Sequence, residues 1–412
     1  MSINEVKLGN ISKGGKGTYG IAASTKDAGT SKYTYLRITD ITDDGELNLN
    51  SLASLDDPNA SKYLLAPGDI VFARTGASTG RSYFYDGSIP DMVYAGFLIK
   101  YSLDETKVNP KYIKYYCISK QYKDWISSSL TGSTRGNINE QQLREMPIPV
   151  PERSVQDSVV RILDSITESI KANNRTNDNL FKVAQAIYDD WFIKFNYPES
   201  NGEFIESELG PIPKGWSIGF IDDKKLTKIA KSGVETYSGK KSYVATADVS
   251  GRQITGSIFL SFDERPSRAN MQPVAGSVWF AKMENSVKNI LVTEYMERIY
   301  DKYIFSTGFM GLECLSGSTY YIWNYINSKT FEEIKNNLST GTLMAGISNS
   351  TIKSAQYVIP PQDLLDKFNL RVDGIFRTIY NNELENERLT KLRDTLLPEL
   401  LNGKIDVSNI DI

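Results

Sequence analysis

Residues 67–81 read PGDIVFARTGASTGR, and residues 276–288 read GSVWFAKMENSVK. Gly68, Ile70, Phe72, Ala73 and Arg74 return 208 positions later as Gly276, Val278, Phe280, Ala281 and Lys282. The same step carries Tyr35, Leu36, Asp40 and Ile41 onto Tyr243, Val244, Asp248 and Val249. Further along, Tyr112, Ile113 and Tyr116 meet Tyr321, Ile322 and Tyr325, while Thr131, Gly132 and Ile138 meet Thr340, Gly341 and Ile347, now at a step of 209. Small indels between blocks are what surface loops tolerate. Solenoid units run to roughly 20–50 residues, so an echo this long marks a duplicated domain and predicts a pseudo-twofold axis.

Each copy divides into a mixed globular part and a helical part. Residues 1–150 carry short apolar or alternating runs such as Asp69 to Ala73 and Val93 to Ile99, punctuated by Gly, Pro and Ser/Thr, with a helical pattern from Pro110 to Trp125. Pro147, Pro149 and Pro151 close that part with a stiff extended segment. From Glu152 to about Phe195 no Pro or Gly interrupts a helical period, which predicts one long helix. The second copy opens at GPIPKG, Gly210 to Gly215, closes at Pro360 and Pro361, and continues into a second helix from Gln362 to Leu397, stopped near Pro398 and Gly403. The expected fold class is α+β, with two pseudo-twofold-related globular domains, 1–150 and 197–360, separated by two long helices, 151–196 and 361–412, packed as an antiparallel coiled coil.

The helices match each other in detail. Val159 pairs with Phe368 in the alignment, Leu163 with Val372 and Ile166 with Ile375, then the seam turns polar in both copies, Asn173 and Asn177 against Asn382 and Asn386. Spacings of three and four describe a coiled-coil seam. An antiparallel crossing centred on the Asn layers makes contacting residue numbers sum to about 559. It predicts Asn173 opposite Asn386, Asn177 opposite Asn382, Leu163 opposite Leu396, Leu180 opposite Ile379 and Trp191 opposite Phe368. The competing expectation has the Asn side chains in solvent, with each helix packed on its own domain. From residue 155 to 191 the rise is roughly 54 Å at 1.5 Å per residue, a spacer length.

Composition narrows the chemistry. The 412 residues contain no His, which removes the commonest general base and the commonest transition-metal ligand. The two cysteines, Cys117 and Cys314, lie in different copies and lack CxxC spacing. No run of about 18 apolar residues and no signal-like start is present, so a cytoplasmic protein with no membrane partner is expected. A net charge of −3 argues against nucleic acid on average, but a local cationic patch can hide beneath an average.

The cations therefore have to be located. In PGDIVFARTGASTGR a strand runs into a loop of Gly, Ser, Thr and Arg, where short hydroxyls and guanidinium groups suit phosphate oxygens and base edges. Arg74 and Arg81 lead the candidates, with Thr75, Ser78 and Thr79. The second copy keeps the strand and the first cation, Lys282, then replaces the small residues with Met283, Glu284 and Asn285 before Lys288. TGSTRGNIN, Thr131 to Asn139, adds Arg135 and Asn137. Lys32 with Tyr33, and Lys240 with Lys241, precede matched strands and complete the set. Two motifs are discounted. Gly15, Gly17 and Gly20 satisfy GxGxxG without the flanking strand and helix of a dinucleotide site, and read as a loop. Asn109 to Tyr112, NPKY, approaches a methyltransferase tetrapeptide but looks like the start of a helix at Pro110.

The order of these blocks resembles the specificity subunits of type I restriction-modification systems. PGDIVFARTG, STRGNI running into PIPVPERSVQ, GPIPKGW and the final LRDTLLPELLNGKI carry the resemblance over essentially the whole chain. The resemblance implies a non-catalytic subunit with two target recognition domains, each reading one half of a split double-stranded DNA sequence, and helices that set the spacing and dock two modification subunits. It implies that S-adenosylmethionine sits on those subunits, which methylate adenine, that restriction subunits bring ATP and Mg, and that this chain binds no cofactor or metal. The alternatives are a single-chain DNA adenine methyltransferase or nuclease, and a coiled-coil scaffold without DNA function.

Overall fold

The computed structural model describes residues 3–130, 136–341 and 345–407. The chain divides into two compact units. Met1–Ala172 and Glu385–Ile412 form the first, and Asn173–Leu384 form the second.

In the first unit, a four-stranded antiparallel sheet runs Thr18–Tyr19, Leu98–Ser102, Asp69–Ala73, Ser82–Phe84. Asp69–Ala73 is buried along its whole length, which is why DIVFA reads as a continuous apolar run behind a buried carboxylate. That carboxylate accepts from the Ala66 amide at 2.9 Å and pairs with Lys100 at 3.1 Å. A second sheet sets Tyr33–Leu36 antiparallel to Ala53–Leu55 and parallel to Met92–Tyr94. Ile3–Lys7 pairs with the proline-rich Pro147–Pro151, whose alternate residues can lack an N–H because the strand has one partner.

The second unit repeats this plan within itself. Its four-stranded sheet runs Thr227–Ile229, Phe309–Cys314, Ser277–Ala281, Asn289–Val292, and Ser277–Ala281 is again fully buried. Lys241–Val244 lies parallel to Tyr303–Ser306 and antiparallel to Ile258–Leu260, and Ser217–Phe220 pairs with Gln356–Ile359.

The matched residues of the echo do matched work. Asp40 Oδ2 accepts from the Arg37 amide at 2.8 Å, and Asp248 Oδ2 accepts from the Ala245 amide at 2.8 Å, each closing a short 3₁₀ turn after its strand. Tyr112 donates to Pro149 O and Tyr116 to Pro147 O, both at 2.8 Å, tying the helix Pro110–Tyr116 to the closing strand. In the second unit Tyr321 donates to Val358 O, and Tyr325 to Gln356 O at 2.8 Å, from the helix Thr319–Ile326. A buried hydroxyl must find a partner, so these positions kept tyrosine rather than any large apolar residue.

The discounted motifs turn out to be structural. Asn109 is the N-cap of its helix, accepting from the Lys111 amide at 3.0 Å with Pro110 in the first turn. In the GxGxxG stretch, a Cβ on Gly20 would sit 2.2 Å from Tyr94 O, and one on Gly17 would meet Ile99 and Tyr101 at 2.7 Å. Those glycines allow backbone and rings to approach closely; no nucleotide is needed to explain them.

Two long helices follow the sheets, Arg153–Tyr188 and Gln362–Leu401, each shared between the two units. The first was expected to run to about Phe195. It instead widens into a π turn over Asp189–Ile193 and is stopped by Phe195 at a φ of 60°. The second was expected to stop at Leu397, and it runs through Pro398 to Leu401 before Gly403 ends it at a φ of 65°. A proline in the final turn forfeits one backbone hydrogen bond. Burial outweighs that loss, because Leu397, Leu400 and Leu401 enter the first unit's core with Val155, Val159, Leu163 and Tyr112.

Within the second unit the helices run antiparallel, since Asn177 meets Asn382 and Trp191 meets Phe368, their ring centroids 6.0 Å apart. Asn177 is buried, so this amide layer is inside the seam rather than in solvent. Asn173 and Asn386 are each half-buried. Among the described residues no helix is long and apolar enough to cross a membrane.

Candidate nucleic-acid interface

The strand Asp69–Ala73 delivers Arg74 into a backbone clamp. Its amide donates to Phe97 O at 3.1 Å, and its carbonyl accepts from the Ile138 amide at 2.9 Å. Thr79 Oγ1, next along the loop, lies within hydrogen-bond reach of two carbonyl acceptors that share its single hydrogen, Gly76 O at 2.7 Å and Gly136 O at 2.6 Å. Residues 67–81 and the described end of the 131–139 segment are thus brought together. Arg135 lies outside the described residues; Asn137 is exposed beside them.

The second unit holds Lys282 the same way. Its amide donates to Gly308 O at 3.0 Å, and its carbonyl accepts from the Ile347 amide at 3.0 Å. Two cations 208 residues apart therefore sit in one backbone frame. Neither forms an ion pair with a described residue, whereas Arg81, Lys100 and Lys228 do.

Their side-chain surroundings differ. The Arg74 guanidinium carbon lies 5.2 Å from the Tyr19 ring centre and 6.0 Å from that of Phe97. Both residues are exposed, Tyr19 at 43% and Phe97 at 56%. Arg74 Nε is buried and has no partner among the described residues. Lys282 is half-buried with Gly308 in place of Phe97, and burial pushes its pKa below the ordinary lysine value.

Arg81 and Lys288 face a different task. Arg81 Nε donates to Asp43 Oδ1 at 2.7 Å and Nη1 to Ile41 O at 3.0 Å, while Lys288 Nζ donates to Thr246 O at 2.6 Å. Both also return a backbone carbonyl to the preceding strand, Arg81 to Ala73 and Lys288 to Ala281. They are structural counterparts that tie the strand's return to the turn after Leu36 or Val244. Sequence alignment at a step of 208 opposes Arg81 to Asn289 and misses this.

The remaining candidates scatter. Ser78 is buried and Thr75 half-buried. Asn285, at a φ of 54°, exchanges two 3.0 Å hydrogen bonds with Asn336 on the helix Lys329–Leu338. Lys32 is exposed above the Tyr33 ring at 5.0 Å. Lys240 is exposed, whereas Lys241 lies 5.3 Å from the Tyr237 ring centre and reaches Gln272 at 3.4 Å. Tyr19 and Phe97 were not anticipated: one sits inside the glycine motif, the other in a loop between strands, and nothing in their spacing joins them to Arg74.

Residues 2–181 match the type I restriction modification DNA specificity domain. The type I restriction enzyme HindI specificity subunit of Haemophilus influenzae is 20% identical, over 85% of this chain and 89% of its own length. The MjaIX specificity subunit of Methanocaldococcus jannaschii is 28% identical, over 73% of this chain and 70% of its own. A crystal structure of the type I restriction-modification system S subunit from M. genitalium shares the fold, with a TM-score of 0.53 at 15% identity, covering 97% of this chain and 96% of that one.

Proposed function

The chain belongs to the specificity subunits of type I restriction-modification systems, and on that premise we propose how it divides its labour: residues 1–150 and 197–360 each approach one half of a bipartite DNA target. Its part in the complex is recognition, not catalysis. The observation that carries the division is the shared clamp around Arg74 and Lys282, which presents at the same point of both sheets a cation that forms no ion pair with a described residue. A strand-end cation lacking an internal counter-ion is available to phosphate or base edges.

In this reading the long helices set the separation of the half-sites and dock two modification subunits. Those subunits carry S-adenosylmethionine and methylate adenine, restriction subunits bring ATP and Mg, and this chain binds none of these itself. Exchanging residues 1–150 for those of a relative and mapping methylated adenines in the cell tests it. One half of the methylated motif changes and the other half stays. A motif altered in both halves, or methylation by the purified chain alone with S-adenosylmethionine, overturns it.

A further inference from the structure

We infer that Arg74 reads a guanine in the first half-site, with Tyr19 and Phe97 as the positioning residues that fix its guanidinium plane; this rests on the DNA-reading role proposed above. A guanidinium close to two aromatic rings is held by cation–π attraction and loses less freedom on binding. Both residues are exposed and both lie beside Arg74, while the Tyr19 hydroxyl is held in place by accepting from the Glu140 amide at 3.3 Å. Their shared feature is Arg74, whose backbone is fixed on both sides by Phe97 and Ile138.

Phosphate neutralisation does not call for such a device. It needs a positive charge near an oxygen, and a flexible lysine supplies that; the second unit has Lys282 at the matched point with no ring in Phe97's place. A planar fork held in one orientation suits a ligand with two acceptors at fixed separation. Guanine presents such a pair, O6 and N7, in the major groove. Arg81 carries the same fork but commits it to the Asp43 carboxylate and the Ile41 carbonyl, so it does not compete for the role.

The test uses the full-length chain assembled with its modification subunits and scores adenine methylation on duplexes in which each base pair of the target is replaced in turn. With the unaltered chain, the half-site assigned to residues 1–150 contains a G·C pair whose replacement costs roughly ten- to a hundredfold. Arg74→Lys keeps the charge and lowers that penalty below about threefold, while penalties elsewhere in the motif persist. Phe97→Leu relaxes the same position, and Phe97→Tyr restores it. An Arg74→Lys complex that keeps the full motif, or a first half-site with no G·C pair, overturns the guanine assignment. A Phe97→Leu complex that loses activity equally on every sequence, with no rescue by tyrosine, overturns the positioning role. The absence of any split motif in the unaltered complex is a separate outcome, and it removes the DNA-reading role itself.

Discussion

The side-chain amide of Asn382 donates to Asn177 Oδ1 at 2.7 Å, and Asn177 in turn reaches Ile379 O at 3.4 Å, within a helix seam that carries Phe181, Ile379 and Tyr380 close by. Replacing one Asn by Leu strands the other amide against a hydrocarbon, at a cost of about 1–3 kcal/mol. Replacing both recovers most of that stability, because no buried polar group is left alone. A double-mutant cycle by urea unfolding checks this: Asn177→Leu and Asn382→Leu should couple by more than about 0.5 kcal/mol, and additive losses would refute the buried layer.

The repeated tyrosine anchors should be equivalent in strength. Tyr116→Phe and Tyr325→Phe each remove a 2.8 Å hydrogen bond from a closing-strand carbonyl, and each should cost about 1 kcal/mol. Amide hydrogen exchange is the informative measurement. Protection should fall at the Ile148 and Val150 amides for the first and along Gln356–Ile359 for the second. Loss spread evenly over both would contradict a local anchor.

The four strand-end cations should separate into two classes. Arg74→Ala and Lys282→Ala should weaken DNA binding by the assembled complex, and any that meets a phosphate should lower the salt slope by about one. Arg81→Ala and Lys288→Ala should chiefly lower thermal stability, since their donors hold Ile41, Asp43 and Thr246 within the fold. Salt titrations on all four variants distinguish the classes.

Lys282 gives the second unit a pH dependence. Burial disfavours its charged form, so its pKa in the folded chain lies below that of the unfolded chain. The unfolded chain then binds more protons in the window between the two values, and stability rises with pH across it. DNA binding has the opposite sign, weakening as the ammonium loses its proton. Lys282→Arg, which stays charged, should flatten the alkaline loss of affinity; an unchanged profile would show that Lys282 does not touch DNA.

How much of this was legible in the chain depends on whether a residue works locally or across the fold. Asp40 with Asp248, and Tyr112 with Tyr321, echo in sequence because each pair repeats one local task, a turn cap or a strand anchor. The Asn177–Asn382 layer was readable because helical periodicity converts spacing into facing. Arg74 was visible as a strand-end cation, but its rings were not, since Tyr19 and Phe97 reach it from other parts of the sheet. The pairing of Arg81 was equally hidden: a guanidinium in a Gly/Ser loop looks the same in sequence whether it is free or bound to an Asp 38 residues earlier in the chain. Pro398 misled because its local preference was outweighed by the burial of Leu400 and Leu401.

The sharing of the long helices has a consequence for how the protein is made. A ribosome that has passed Leu384 has supplied every residue of the second unit, which is continuous in the chain. The first unit, begun earlier, is still missing Leu397, Leu400, Leu401 and Val407 from its core. The part translated first is therefore completed last, and a late stop codon injures the front of the molecule while leaving the later-made half whole.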